Sequence, residues 1–295
     1  MNKTSGTSAI SIDKINLSYG NHLVLDDCTL QVKHGESVAL LGPNGAGKTS
    51  LLEVIQGFRR PSTGRVEVLG TDPLRANYKW SSKVGIVLQG WRDHFFWSPR
   101  ELIKLVELAH LNVGAGSKNN TANLISVLDL EPFMDQRIGR LSGGERRRLD
   151  VCLALLGEPE ILFLDEPTTA FDPAVRREFH DFMESLKKTT TIIWATHDLT
   201  EAERNCERIV LMHDGRLAAD ATPDELRRSV QGGTTVEWTD EQGIRQNSTT
   251  DDPNTFLAEL IAMPSVSDIR VSDTSFEDVY LELLNQVSGE EGQHP

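Results

Sequence analysis

Gly42-Pro43-Asn44-Gly45-Ala46-Gly47-Lys48-Thr49 is the stretch that decides the fold of this chain. It follows a nearly unbroken apolar run, Ser37–Leu41, and precedes a helical pattern from Thr49 to about Gln56, with Gly57 placed to cap it. Glycines at this spacing let the backbone curl until several N–H groups converge on one point. A helix that starts there adds partial positive charge. The ligand such a cradle takes is an anion with several oxygens. Lys48 would bridge the β- and γ-phosphates of a nucleotide, and the Thr49 hydroxyl would hold Mg²⁺. Asn44, Gly45, Ala46, Gly47, Lys48, Thr49 and Ser50 are the candidate ATP contacts.

Strand and helix patterns alternate on both sides of this loop. Ile10–Leu17 alternates apolar and polar residues with one slip and reads as a strand near a sheet edge. Cys28–Val32 reads as a second strand, and Ser37–Leu41 as a central one. Arg65–Leu69 and Lys83–Leu88 are strand-like, and Pro99 to about Leu130 is helical around a polar loop at Gly114–Asn120. A helix starts just after Gly144 and carries Val151–Leu156. Glu160–Leu164 and Thr189–Ala195 are buried-strand candidates on either side of a helix at Val175–Lys187. The alternation predicts an α/β fold with a mostly parallel sheet.

Near Ser229 the pattern changes. Thr234–Trp238 and Ile244–Gln246 read as strands around a turn at Asp240–Gly243. Thr255–Met263 reads as a helix, Val266–Val271 as a strand, and Ser275–Leu284 as a helix whose Ser275 and Asp278 have capping-box spacing. The predicted organisation is a domain at 10–228, a small α+β domain at 230–285, a flexible start at 1–9 and a disordered tail at 286–295.

Composition narrows the class. Thirty Lys and Arg against 44 Asp and Glu leave a net charge of −14, which argues against direct nucleic-acid binding by a basic face. The three cysteines, Cys28, Cys152 and Cys206, have no metal-ligand spacing, and Cys152 in its apolar run reads as a core residue. The opening MNKTSGTSAISIDK lacks the apolar region of a secretory signal. Nothing approaches the roughly 18 apolar residues of a membrane span.

Two further motifs carry chemistry. Ile161–Asp165 followed by Glu166 is an apolar strand ending in two carboxylates. At the C-terminal edge of a parallel sheet Asp165 would join Thr49 around Mg²⁺, and Glu166 would orient or deprotonate the attacking water. Leu141-Ser142-Gly143-Gly144-Glu145 is a second helix start with a hydroxyl and two glycine N–H groups, hence a second anion cradle. This last motif resembles the signature of the ABC ATPases, and the order of motifs over roughly 10–228 is theirs. The resemblance implies a cassette with an N-terminal antiparallel β part, a parallel core sheet and a helical subdomain at about 91–150. It implies that two copies face head to tail, the Ser142, Gly143 and Gly144 loop of one against the ATP of the other.

The same resemblance assigns lesser positions. Gln89 matches the Q-loop glutamine that touches Mg²⁺ or its water, and His197 the switch histidine at the γ-phosphate. Tyr19, 23 residues before Gly42, is similar to the aromatic that stacks on adenine. Asp172 fills the D-loop acid position, although Phe171 departs from the aliphatic residue usual before it. Trp91-Arg92-Asp93-His94-Phe95-Phe96-Trp97 is either an anchor for a membrane subunit or the interior of the helical subdomain. Ser275–Leu283 resembles the close of the C-terminal domain of daunorubicin-resistance-type exporter ATPases. The implied protein is a cytoplasmic ATPase held at the inner face of the membrane by separate permease subunits. An importer subunit, or a soluble ABC ATPase acting on ribosomes or DNA, is the alternative.

Overall fold

The N-terminal alternation folds as β1 (Ser8–Tyr19), which turns at Gly20 into β2 (His22–Lys33). After β3 (Ser37–Leu41) and α1 (Lys48–Ile55), β4 (Thr63–Val68) pairs with the other side of β1. The order β2-β1-β4 therefore makes β1 the middle strand of an antiparallel sheet, not an edge. Its pattern misleads because a middle strand with one solvated face alternates just as an edge strand does. The slip in the pattern is a bulge between Ile12 and Ile15, with Lys14 at φ 49°, and it keeps Ile10, Ile12, Ile15 and Leu17 all buried.

The computed structural model describes residues 8–88, 94–111, 118–187, 189–229, 234–240, 242–250, 252–263, 266–272, 276–277, 279–281 and 283–284. The chain divides into two compact units at Asp220 and Ala221.

In the first unit α2 (Tyr78–Ser81) and β5 (Val84–Val87) lead to α3 (Pro99–Leu111), α4 (Lys118–Val127) and α5 (Gly143–Leu155). The polar loop expected at Gly114–Asn120 is shorter than that reading, because residues 118–120 already belong to α4. There follow β6 (Ile161–Asp165), α6 (Pro173–Leu186), β7 (Thr191–Thr196), α7 (Leu199–Asn205), β8 (Arg208–His213) and β9 (Arg216–Ala221). The six strands lie in the order β5-β6-β7-β3-β8-β9, and β5, β6, β7, β3 and β8 run parallel. Every residue of β3, β6 and β7 is buried, as continuous apolar runs in a doubly covered sheet require. One face packs Phe163 and Ile193 with Leu51, Leu52 and Ile55 of α1. On β7 the alternate residue Trp194 points the other way, its ring 5.7 Å from Phe179 of α6. Cys152 is buried in α5, as its apolar setting predicts.

The parallel order places the C-terminal ends of β3, β6 and β7 side by side, so the loops after Leu41, Asp165 and Thr196 meet at one edge. The stretch after His197, in which the sequence reading places no elements, holds α7, β8, β9 and α8 (Pro223–Ser229). These are six or seven residues each, too short for helical and strand periods to separate cleanly.

The second unit, 221–295, contains α8, β10 (Thr234–Thr239), β11 (Arg245–Thr250), α9 (Pro253–Ala262) and β12 (Ser267–Ser272). Its antiparallel sheet has the order β11-β10-β12. Trp238 of β10 meets Phe256 of α9 edge to face at 5.7 Å, and Val236, Leu260, Phe276 and Val279 are buried. Residues 276–277, 279–281 and 283–284 are helical, while Ser275 and Asp278 lie outside the described residues, as do 1–7 and 285–295.

Candidate active site

Gly47 is the N-cap of α1 at φ 100°, a conformation that favours glycine, and a Cβ there would lie 3.0 Å from Leu25 and 3.1 Å from the Val24 carbonyl oxygen. The loop it closes leaves Asn44 and Gly45 exposed and Ala46 buried. Lys48 is 7% exposed, and its Nζ donates to the carbonyls of Gly42 at 2.7 Å and Pro43 at 3.0 Å. The lysine therefore sits inside the curl of its own loop. Burial lowers its pKa, and Glu166 and Asp165 oppose that shift.

Thr49 Oγ1 donates to Asp165 Oδ2 at 3.1 Å, so two residues 116 positions apart meet as predicted. Asp165, at the end of β6, is 3% exposed, and burial raises its pKa against the Thr49 hydrogen bond. A hydroxyl and a carboxylate oxygen are hard donors of the kind Mg²⁺ takes. Glu166 comes next, at φ 52°, with its N–H on the Ala195 carbonyl at 2.9 Å. Its Oε1 lies 2.7 Å from Nδ1 of His197, which follows β7. Lys48, Thr49, Asp165, Glu166 and His197 are thus gathered at one sheet edge.

Ser142 caps α5 by a capping box. Its Oγ accepts from Glu145 N at 3.3 Å, and Glu145 Oε2 accepts from Ser142 N at 2.7 Å. Gly143 faces open space, whereas a Cβ on Gly144 would lie 2.5 Å from the Ala170 carbonyl oxygen. The Ser142–Gly144 turn and the loop after β6 are consequently in contact within one chain. Asp172 caps α6, its Oδ1 accepting from Ala174 N at 3.0 Å and Val175 N at 3.1 Å. Those two bonds give its carboxylate a local structural job.

Tyr19 ends β1 with its hydroxyl 3.5 Å from Ser50 Oγ on α1, and the Arg59 guanidinium lies 4.7 Å from its ring centre. Gln89, with Trp91, Arg92 and Asp93, lies outside the described residues. Of the aromatic cluster, Phe95, Phe96 and Trp97 are 50%, 83% and 39% exposed, which favours the surface reading over the interior one.

Arg147 of α5 is absent from the sequence reading. Its guanidinium donates to the carbonyls of Leu88, Asp165 and, at 2.9 Å, Glu166, joining α5 to the ends of β5 and β6. A signal for it existed. The buried stripe Val151, Cys152 and Leu155, continued one turn toward the N-terminus, falls on Arg147 and Arg148, both 8% exposed.

The family described as ABC transporter matches residues 25–169. The daunorubicin resistance ATP-binding protein DrrA3 of Streptomyces coeruleorubidus is 36% identical over 226 residues, covering 76% of this chain and 72% of that protein. The Nod factor export ATP-binding protein I of Paraburkholderia xenovorans is 34% identical over 231 residues, covering 78% of this chain and 76% of that protein. Among solved structures, a dimeric ATP-binding cassette in a post-hydrolysis state, bound to ADP and Pi, superposes with a TM-score of 0.64 at 25% identity. That match covers 72% of this chain and 98% of the other.

Proposed function

Because this chain belongs to the ABC transporter family, as an ATP-binding and ATP-hydrolysing cassette, we propose that two copies clamp Mg-ATP between them and so drive export through separate permease subunits. The observation that carries this reading is the meeting of Lys48, Asp165, Glu166 and His197 at the edge where Gly42–Thr49 curls.

In this reading Lys48 exchanges the carbonyls of Gly42 and Pro43 for the β- and γ-phosphates, while the loop N–H groups and Ser50 hold the remaining oxygens. Thr49 and Asp165, with Gln89, hold Mg²⁺, which neutralises phosphate charge when bound. Glu166 orients and deprotonates the attacking water, and His197 fixes the Glu166 carboxylate and reaches the γ-phosphate. Tyr19 offers adenine the ring face that Arg59 does not cover. Ser142, Gly143 and Gly144 present the N-terminus of α5 to the nucleotide on the second copy. Asp172 acts there by fixing the start of α6. The dimeric solved cassette supports the pairing of two copies.

The names of the two curated relatives, one in daunorubicin resistance and one in Nod factor export, support the export direction. No helix among the described residues is long and apolar enough to cross a membrane. The relatives' names as ATP-binding proteins of export and resistance systems are what support a separate permease as the pathway. Phe95, Phe96 and Trp97 are the proposed permease anchors. Near them lies a cavity of about 320 Å³ lined by Phe58, Leu88, Leu102 and Val106. The chain accordingly works at the inner face of the cell membrane, with the second unit as an accessory domain.

The test is to tag Glu166→Gln, express it in its native host, extract in detergent and identify what co-purifies. A multi-span hydrophobic polypeptide in stoichiometric amount is expected. Ribosomal or DNA-repair components with no membrane protein would overturn the transport reading.

A further inference from the structure

Next to the Glu166–His197 pair lies a second polar cluster, whose centre is buried. Glu201 on α7 is 4% exposed. Its Oε1 accepts from the Thr168 hydroxyl, and its Oε2 accepts from the Thr196 hydroxyl at 3.2 Å. Both threonines are buried, at 4% and 0% exposure. Thr168 stands two residues after Glu166, and Thr196 immediately before His197. Thr196 Oγ1 also accepts from Asp198 N at 3.0 Å, and Asp198 Oδ1 accepts from Glu201 N at 3.2 Å, so the ring of contacts closes on itself. On the remaining side His180 Nε2 of α6 lies 3.5 Å from Glu201 Oε1, and the His180 ring meets Trp194 at 5.8 Å between centres.

We infer that Glu201 is a positioning residue for ATP hydrolysis: by fastening Thr168 and Thr196 it holds the two backbones that set Glu166 against His197. The inference rests on the reading of Glu166 and His197 as the hydrolytic pair. Glu166 sits in the left-handed region at φ 52°, a conformation that persists only where its surroundings over-determine it. The Thr168–Glu201–Thr196 bridge contributes to that constraint, together with the bond from Glu166 N to the Ala195 carbonyl. Burial pushes the Glu201 carboxyl up, but His180, Thr168 and Thr196 outweigh it and leave the group below its ordinary range. It therefore stays ionised and acts only as an acceptor, which both hydroxyls need. Unlike Lys48 or Glu166, it has no access to the nucleotide side, so its effect passes through the pair it supports.

The test compares steady-state ATP hydrolysis of the full chain with that of Glu201→Gln, Thr168→Val and Thr196→Val. The valine variants keep the volume of the side chain and remove only the hydroxyl. The expected result is a fall in kcat of about 10- to 100-fold, the scale set by small displacements of catalytic groups. KM for ATP should stay within about twofold. Each variant is repeated in a Glu166→Gln background, where the further loss should vanish because the supported group is already gone. Wild-type kcat in all three variants would overturn the inference. So would a KM that rises in step with the loss, or an equal further loss in the Glu166→Gln background. If Glu166→Gln itself turns over at the wild-type rate, the hydrolytic pair falls first, and the two failures are told apart.

Discussion

A methyl group on Gly144 would come within 2.5 Å of the Ala170 carbonyl oxygen, and Ala170 is itself at φ 69°. Neither backbone can give way cheaply, so Gly144→Ala should cost about 1–3 kcal/mol, the usual range for forced overpacking. Urea denaturation would show it as a lower midpoint with unchanged slope, and ATP turnover should fall with it, because the same contact seats the Ser142 turn. The residues singled out in the sequence that the structure gathers were Lys48 and Thr49, from the glycine-loop spacing, Asp165 and Glu166, from the apolar strand that ends in two carboxylates, and His197, from the family resemblance alone. Arg147 and Glu201 were not legible, although each touches the site or its support. A charged residue on a helix reads as solvated surface until the packing around that helix is known, and both are buried by tertiary contacts alone.

At the scale of elements, Phe171 shows why one departure from the family pattern is tolerated. It is 7% exposed and meets Phe179 edge to face at 5.7 Å, and Phe179 in turn meets Trp194 at the same distance. The start of α6 is thereby packed onto β7 through three aromatic rings. Phe171→Ala should cost about 3–5 kcal/mol, as large-to-small core changes do. Thermal unfolding should register a lower Tm, and Phe171→Leu should lose much less. Strands buried on both faces, β3, β6 and β7, were legible as mostly apolar runs. The middle position of β1 was not, since strand order in a sheet is a long-range property that a local alternation does not encode. Short elements after His197 escaped for want of length.

For the whole molecule, the parallel order β6-β7-β3 is what turns three separated motifs into one site. The net charge of −14 is carried without harm to anion binding, because the phosphate cradle works through backbone N–H groups and Lys48 at close range. The central claim is that this edge hydrolyses ATP with Glu166 as the base. The most direct measurement is the steady-state rate of Mg-ATP hydrolysis by the purified Glu166→Gln chain, set beside the wild type under conditions where both bind ATP. The account predicts a loss of at least about a hundredfold with ATP binding intact, the lower bound for removing a general base. A Glu166→Gln rate equal to that of the wild type would contradict it.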